Sequence, residues 1–286
     1  NYVKEITLIT PGGKIMNCSP KKNTKLFRAT CSGAGLTGIV ISAKIILMKI
    51  SSRNIDVSIY VTQNLKETIF KLKRLKDKKY LIAWMDTINK KNFGRSIIIS
   101  GTHSKNNFLK KKKSFSFKIP SIFGRIFMNN FFMKIFNEVY FRINKRKKYF
   151  RQDLQNFFYP LDIISNWNKF YGKNGFTQIQ ILIPEKINAL TVLNKIFLYL
   201  NKKKTYSYLT TLKEFGNVNQ NFLTFPEKGI TMTLDIPVTR DLKSIYSNLE
   251  KILIKNKIKV YLAKDSYMSK NFFKKTNKNL NKFLIV

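Results

Sequence analysis

Gln178 and Gln180, in the run Thr177-Gln178-Ile179-Gln180-Ile181, are spaced for chemistry on one strand face. On an extended strand they point one way, and Ile179 and Ile181 point the other. Two amides side by side suit a wall that binds hydroxyl groups, although without further context the alternation reads as a solvated outer face. Thr231, Thr233 and Asp235 form a second polar stripe in Ile230-Thr231-Met232-Thr233-Leu234-Asp235-Ile236. They suit a cavity lining or an exposed β-face, since threonine is a common strand residue. Tyr261-Leu262-Ala263-Lys264-Asp265-Ser266 sets a lysine just beyond a strand. A fixed positive charge aimed at a developing anion is a large catalytic term. The spacing alone reads more simply as a helix-entry cap beside a solvated lysine.

A fourth feature is Cys31-Ser32-Gly33-Ala34-Gly35-Leu36-Thr37-Gly38-Ile39, a glycine-rich turn that leads into a β-branched strand. Such a turn lets a flat or charged ligand approach the main chain, and it also fits a bare glycine turn. The chain shows no Ser-His-Asp set, phosphate-binding loop or paired general-acid carboxylates, and only 15 residues are acidic. Hydrolytic chemistry therefore lacks candidates, and a hard chemical step would have to come from a cofactor. Cys18 and Cys31 form no CxxC pair, and His103 is the single histidine, so neither a zinc site nor a disulfide scaffold is expected.

The elements that must position these residues alternate along the chain. Strand-like runs occupy 3–10, 39–48, 56–61, 78–86, 96–100, 178–183, 206–212, 229–237 and 260–263, with helical spacing at 25–29, 65–75, 187–201, 242–255 and 269–279. The terminal run Phe283-Leu284-Ile285-Val286 reads as a strand. With both ends apolar and strand-like, the chain is expected to be a fragment. Interleaved strands and helices with few hairpin turns point to an α+β fold with a mostly antiparallel sheet and helices on one face. Residues 104–151 stand apart. A lysine run at 110–113 and a basic cluster at 145–148 flank Phe123, Phe127, Phe131, Phe132 and Phe136, which suits a mobile basic loop before a short amphipathic helix, a lid, or a membrane-facing edge.

The net charge is +39 over 286 residues, which would ordinarily suggest nucleic acid or an anionic membrane. Lysines outnumber arginines 45 to 9, and Asn, Ile, Phe and Tyr are all abundant. That joint excess is what an AT-rich coding bias produces, whereas a reader of phosphates and guanines favours arginine forks. The longest apolar stretch, 35–48, is interrupted by Lys44 and is too short to span a bilayer.

Ordered motifs across the chain resemble the FAD-linked oxidases related to decaprenylphosphoryl-β-D-ribose 2-oxidase, within the PCMH-type (vanillyl-alcohol-oxidase-type) flavoproteins. They are Leu26-Phe27-Arg28-Ala29-Thr30 before the glycine turn, Ala83-Trp84-Met85-Asp86, and Gly94-Arg95 with Gly101-Thr102-His103. Phe158-Tyr159-Pro160-Leu161-Asp162, Trp167-Asn168 and Tyr171-Gly172 follow, then Gly175-Phe176-Thr177-Gln178-Ile179-Gln180 with Pro184. Lys213 with Phe215-Gly216, Phe225-Pro226 and the Tyr261–Ser266 run complete the series. The resemblance implies that 1–50 is the end of an FAD-binding domain, completed by 258–286, and that 51–257 is a substrate-binding cap. It implies flavin contacts at Gly35, Thr37, Gly38, Ile39 and Tyr261, and a substrate pocket of Gln178, Gln180, Lys213, Thr231 and Thr233 with Trp84 as an apolar wall. Lys264 would stabilise negative charge on the flavin ring. Thr233 and Thr231 stand where some members carry a cysteine and an asparagine, so thiol chemistry is not expected.

The implied activity is oxidation of a sugar hydroxyl to a ketone by hydride transfer to flavin N5, on a polyprenyl-phosphate-linked pentose. An aldonolactone or alditol oxidase is the alternative within flavin chemistry, and a basic nucleic-acid- or membrane-binding protein without catalysis is the alternative outside it. FAD is the expected cofactor and no metal is expected. The family's pyrophosphate loop has no counterpart in this sequence, so the isolated chain is expected to be inactive. Expected partners are the lipid-linked sugar, a membrane surface and a reductase acting on the keto product, with no nucleic acid. The expected location is cytoplasmic or peripheral to the inner membrane.

Overall fold

The computed structural model describes residues 2–105, 129–165, 174–216, 219–264 and 267–286, and the backbone at 117–118. The lysine run at 110–113, Phe123 and Phe127, the Trp167-Asn168 and Tyr171-Gly172 motifs, and Asp265-Ser266 lie outside the described residues.

The fold is α+β and is built on two antiparallel sheets. The smaller sheet holds β1 (Val3–Ile9), β2 (Ile15–Cys18) and β3 (Ile39–Ile45) in the order β2-β1-β3. The turn at Pro11-Gly12-Gly13 closes the β1–β2 hairpin through the Gly13 N–H donating to Thr10 O at 2.9 Å. Helix α1 (Thr24–Thr30) sets Phe27 against Ile6, Leu8 and Cys18 in this unit's own core. Every residue of β3 is exposed, including Ile39, Val40 and Ile41.

The larger sheet has eight strands in the order β13-β10-β12-β11-β5-β6-β4-β8. In chain order these are β4 (Asn54–Thr62), β5 (Tyr80–Met85), β6 (Ser96–His103), β8 (Tyr149–Asp153), β10 (Phe176–Pro184), β11 (Leu209–Phe215), β12 (Gly229–Pro237) and β13 (Lys259–Val260). The two-residue strands β7 (Phe117–Lys118) and β9 (Ile164–Ser165) pair in parallel apart from it. Every pairing within the large sheet is antiparallel.

One face of the large sheet is covered by α2 (Leu65–Arg74), α5 (Ala189–Lys202) and α6 (Leu242–Lys255). On α5 the buried residues Ala189, Val192, Leu193, Ile196, Phe197 and Leu200 recur at helical spacing and meet Ile179, Ile181, Met232 and Leu234. Burial of each large side chain stabilises by roughly 1.5–3 kcal/mol. The abundant asparagines supply caps: the Asn64 and Asn188 side chains accept from the Glu67 and Thr191 backbone N–H groups at 2.9 and 3.1 Å.

The structure corrects the expected arrangement in three places. Helices do not keep to one face, because α3 (Asn130–Arg146) lies on the opposite side, with Phe141 packed against the β4, β5 and β6 residues Ile55, Val57, Ile59, Trp84 and Ile97. The strand expected at 260–263 stops at Val260 and turns into a 3-10 helix, Leu262–Lys264, closed by the Lys264 N–H donating to Tyr261 O at 3.1 Å. The C-terminal run is a helix, α8 (Leu280–Leu284). Leu280 and Phe283 lie one turn apart, and Phe283 buries against Ala29 and Leu223. The segment after 258 therefore serves both units: Phe272 of α7 (Lys270–Thr276) is buried in the large core, and Phe283 packs against α1. Helix α4 (Leu154–Phe158) sits beside the β8 edge. No helix among the described residues is long and apolar enough to cross a membrane.

Candidate active site

Strand pairing decides which polar residues meet. Trp84, Thr211, Thr233 and Gln180 lie opposite one another in a row across β5, β11, β12 and β10. The next row holds Lys213, Thr231, Leu182 and Lys259, and the row on the other side holds Leu209, Asp235 and Gln178. Directly paired residues share a face. Gln178, Gln180, Thr231, Thr233, Asp235, Lys213 and Trp84 therefore occupy one side of the sheet. Their alternate neighbours Ile179, Ile181, Met232, Leu234 and Leu212 fill the core on the other side.

This polar face is bonded within itself. The Gln178 amide donates to Asp235 at 2.5 Å, and the Gln180 amide donates to the Thr231 hydroxyl at 3.0 Å. Thr231 in turn donates to Ile181 O at 2.9 Å. Each glutamine uses one amide N–H on its neighbour and is held in place by that bond.

The edge of this face leads into a hollow of about 480 Å³. The Tyr261 N–H donates to Gln180 O at 2.8 Å, which extends the sheet edge into the 3-10 turn that ends at Lys264. Tyr261 stacks on Phe225 with ring centroids 5.0 Å apart, and Phe225 meets Phe215 edge-on at 6.0 Å. Cys31, Ser32 and Ala34 of the glycine turn close the opposite wall, with Asn219, Asn221 and Thr224 between. The wall is tied together by the Leu223 N–H donating to Ser32 Oγ at 3.2 Å and by Arg28 donating to Gln220. Thr224 Oγ1 is buried without a hydrogen-bond partner among the described residues, a polar group left over for a ligand.

The electrostatics of this region are cationic. Lost hydration, and then the charge of Lys264, push the Lys213 ammonium below the ordinary lysine range. The charge of Lys264 therefore acts on Lys213, neither lysine lines the hollow, and neither forms an ion pair among the described residues. Burial pushes the Cys31 and Cys18 thiols up, so neither is a ready thiolate.

Of the residues expected at the site, Gln178, Gln180, Lys213, Thr231 and Thr233 share the polar face, and Gln180 and Tyr261 line the hollow. Trp84 joins the same row, but Tyr140 covers it at 4.8 Å between centroids, and it is 8% exposed. Gly35, Thr37, Gly38 and Ile39 do not line the hollow, which the earlier half of their turn reaches. A side chain at Gly33 would strike Ala29 O, and one at Gly38 would strike Ile9 O, so close chain packing demands both glycines. Gly35 has a φ of +82° with open space around it. The Thr37 hydroxyl pairs with that of Thr30, and Ile39 is 71% exposed. The residues missed by site reasoning are Phe215, Phe225, Asn219, Asn221 and Thr224. Phe215 and Phe225 stood in motifs that carry the resemblance, whereas the asparagines sit in a segment with no periodicity.

Comparison with known proteins bears on what this site belongs to. Decaprenylphosphoryl-β-D-ribose oxidase of Mycolicibacterium smegmatis is 29% identical over 279 residues, which cover 93% of this chain. The chain is homologous to that oxidase. It spans 60% of the oxidase's length. No family model matches the chain.

Proposed function

We propose that this chain forms the substrate-holding cap and part of the flavin seat of an FAD-dependent oxidoreductase that oxidises a sugar hydroxyl to a ketone. Residues 51–257 supply the cap, and 1–50 with 258–286 supply the flavin-side portion. The observation that carries this reading is an amide- and hydroxyl-bearing sheet face, with Lys213 in its rows, whose Gln180 also lines an aromatic-walled hollow. The homologue's name supplies the substrate class, a ribose on a polyprenyl phosphate.

The residues present fit FAD. Phe215, Phe225 and Tyr261 give a flat ring apolar contact, the backbone at Ser32 and Ala34 lies open to it, and the unpartnered Thr224 hydroxyl offers it a hydrogen bond. When bound, FAD supplies a two-electron acceptor for the hydride leaving the substrate carbon. Lys264 provides the fixed charge that stabilises negative charge gained in that transfer. The lowered Lys213 ammonium gives up its proton more readily than an ordinary lysine, and in its neutral form Lys213 Nζ accepts the hydroxyl proton as the ketone forms. Gln178, Gln180 and Thr233 orient the sugar hydroxyls. The exposed apolar face of β3 is where further protein of the flavin-binding unit would seat.

The test is substrate choice by the protein expressed from its complete reading frame. Oxidation of a polyprenyl-phosphate-linked ribose, with no turnover of a free aldonolactone or alditol, is expected. Turnover of the free sugar at a comparable rate would overturn the lipid-linked reading.

A further inference from the structure

Helix α3 is apolar on two sides. Met133, Asn137 and Phe141 are buried against the sheet. Around the opposite arc, Phe131, Ile135, Phe136, Val139 and Ile143 are all exposed, Phe131 at 67% and Phe136 at 56%. Residues 131, 135, 139 and 143 recur every fourth position, so they form one continuous stripe along the helix. Large apolar side chains concentrated this way mark a surface that something covers.

The surroundings say what covers it. Lys90 and Lys91, in the loop between β5 and β6, face Lys134, Ile135 and Val139 of α3 across a shallow groove of about 510 Å³. Its one carboxylate, Glu138, is already neutralised by Arg95 and Arg142. Arg142, Lys145 and Arg146 lie on the last turns of the helix, and Lys147 and Lys148 continue past its end. An apolar floor rimmed by cations matches acyl chains below anionic headgroups. A protein partner would need an acidic frame around an apolar patch, whereas a second copy of this chain, with a net charge of +39, would bring like charge to the same surface.

We infer that helix α3 and the 89–91 loop form the surface by which this protein docks on an anionic lipid bilayer. The apolar stripe enters the headgroup boundary and the surrounding lysines hold the lipid phosphates. This inference stands independently of the flavin reading, since it concerns the outward arc of α3 and needs no cofactor.

The test uses the whole protein and vesicles of phosphatidylcholine alone or mixed with phosphatidylglycerol. A chain this basic binds anionic surfaces non-specifically, so the deciding variant keeps the charge. Phe131→Ser with Phe136→Ser is expected to weaken partitioning to the mixed vesicles by roughly tenfold or more. Leu198→Ser, at an exposed position on the opposite face of the sheet, is expected to leave it unchanged. A tryptophan introduced by Phe131→Trp is expected to be quenched by bromine-labelled acyl chains, a readout that does not depend on the double variant folding. Equal partitioning of the double variant and the unaltered protein, or an unquenched tryptophan, would overturn the inference. So would a concentration-dependent dimer that the same double substitution abolishes.

Discussion

Lys213 holds its charge at a cost. The folded protein binds the Lys213 proton less tightly than the unfolded chain does, because lost hydration and Lys264 both oppose it. The linkage sign follows. Between the depressed folded value and the ordinary lysine value the unfolded chain holds a proton that the folded chain has shed, so stability rises with pH across that window, and the penalty is fully present below the depressed value. Lys213→Met removes the penalty. At neutral pH it is expected to melt no lower than the unaltered protein, and slightly higher, while losing substrate oxidation and the alkaline rise in its rate. A lower melting temperature with oxidation retained would contradict the assignment. The polar face was legible in the sequence from the alternation in 177–181 and 230–236. The charge coupling was not, because it depends on β11 lying beside β12 and on a turn some fifty residues later.

At the scale of elements, α3 is held to the sheet by a buried cluster. Arg95 donates to Asp86 at 3.0 and 2.9 Å and to Glu138 at 2.7 Å, and the Asn137 amide donates to Asp86 at 2.8 Å. The Arg95 guanidinium also lies 4.5 Å from the centre of the Phe141 ring. Asp86 and Arg95 are nearly inaccessible, so removing one charge strands the other. Asp86→Asn is expected to cost about 3 kcal/mol in chemical denaturation, and replacing Asp86 and Arg95 together by apolar residues is expected to cost less than the single change. A neutral Asp86→Asn would show that the cluster does not anchor the helix. Hydrogen bonds from Arg95 and Arg142 hold Glu138 below the usual carboxylate range, so its share of the clamp is present above that range and lost as pH falls below it. The buried Asp86–Arg95 pair was visible only as the motifs Trp84-Met85-Asp86 and Gly94-Arg95, without their pairing. Helices with strong spacing, α2, α5 and α6, were legible within a residue or two. The C-terminal helix was not, since four consecutive apolar residues fit either period until Phe283 finds Ala29. The single histidine proved structural: its ring nitrogens lie 2.7 Å from Ser52 O and 2.9 Å from the Tyr80 hydroxyl.

Across the whole molecule, the large sheet carries the polar face, and the glycine turn beside the small sheet closes the hollow. The contact between them is narrow: Ser32 with Leu223, Arg28 with Gln220, and Phe283 with Ala29. The α+β class and the antiparallel sheet followed from the interleaved pattern, the family resemblance was read from ordered motifs, and the chain is 29% identical to an oxidase of that kind. The hollow itself could not be read ahead. It arises where residues 31–34, 215–226 and 259–263 converge, three segments whose proximity no local pattern encodes.

The most direct measurement is the flavin absorbance of the complete protein, mixed without oxygen with polyprenyl-phosphate-linked ribose, alongside its Lys264→Ala variant. The account predicts that both proteins hold FAD, that the unaltered protein bleaches, and that the variant does so slower by about a hundredfold or more. Bleaching of the variant at the unaltered rate, or a complete protein that holds no flavin, would contradict it.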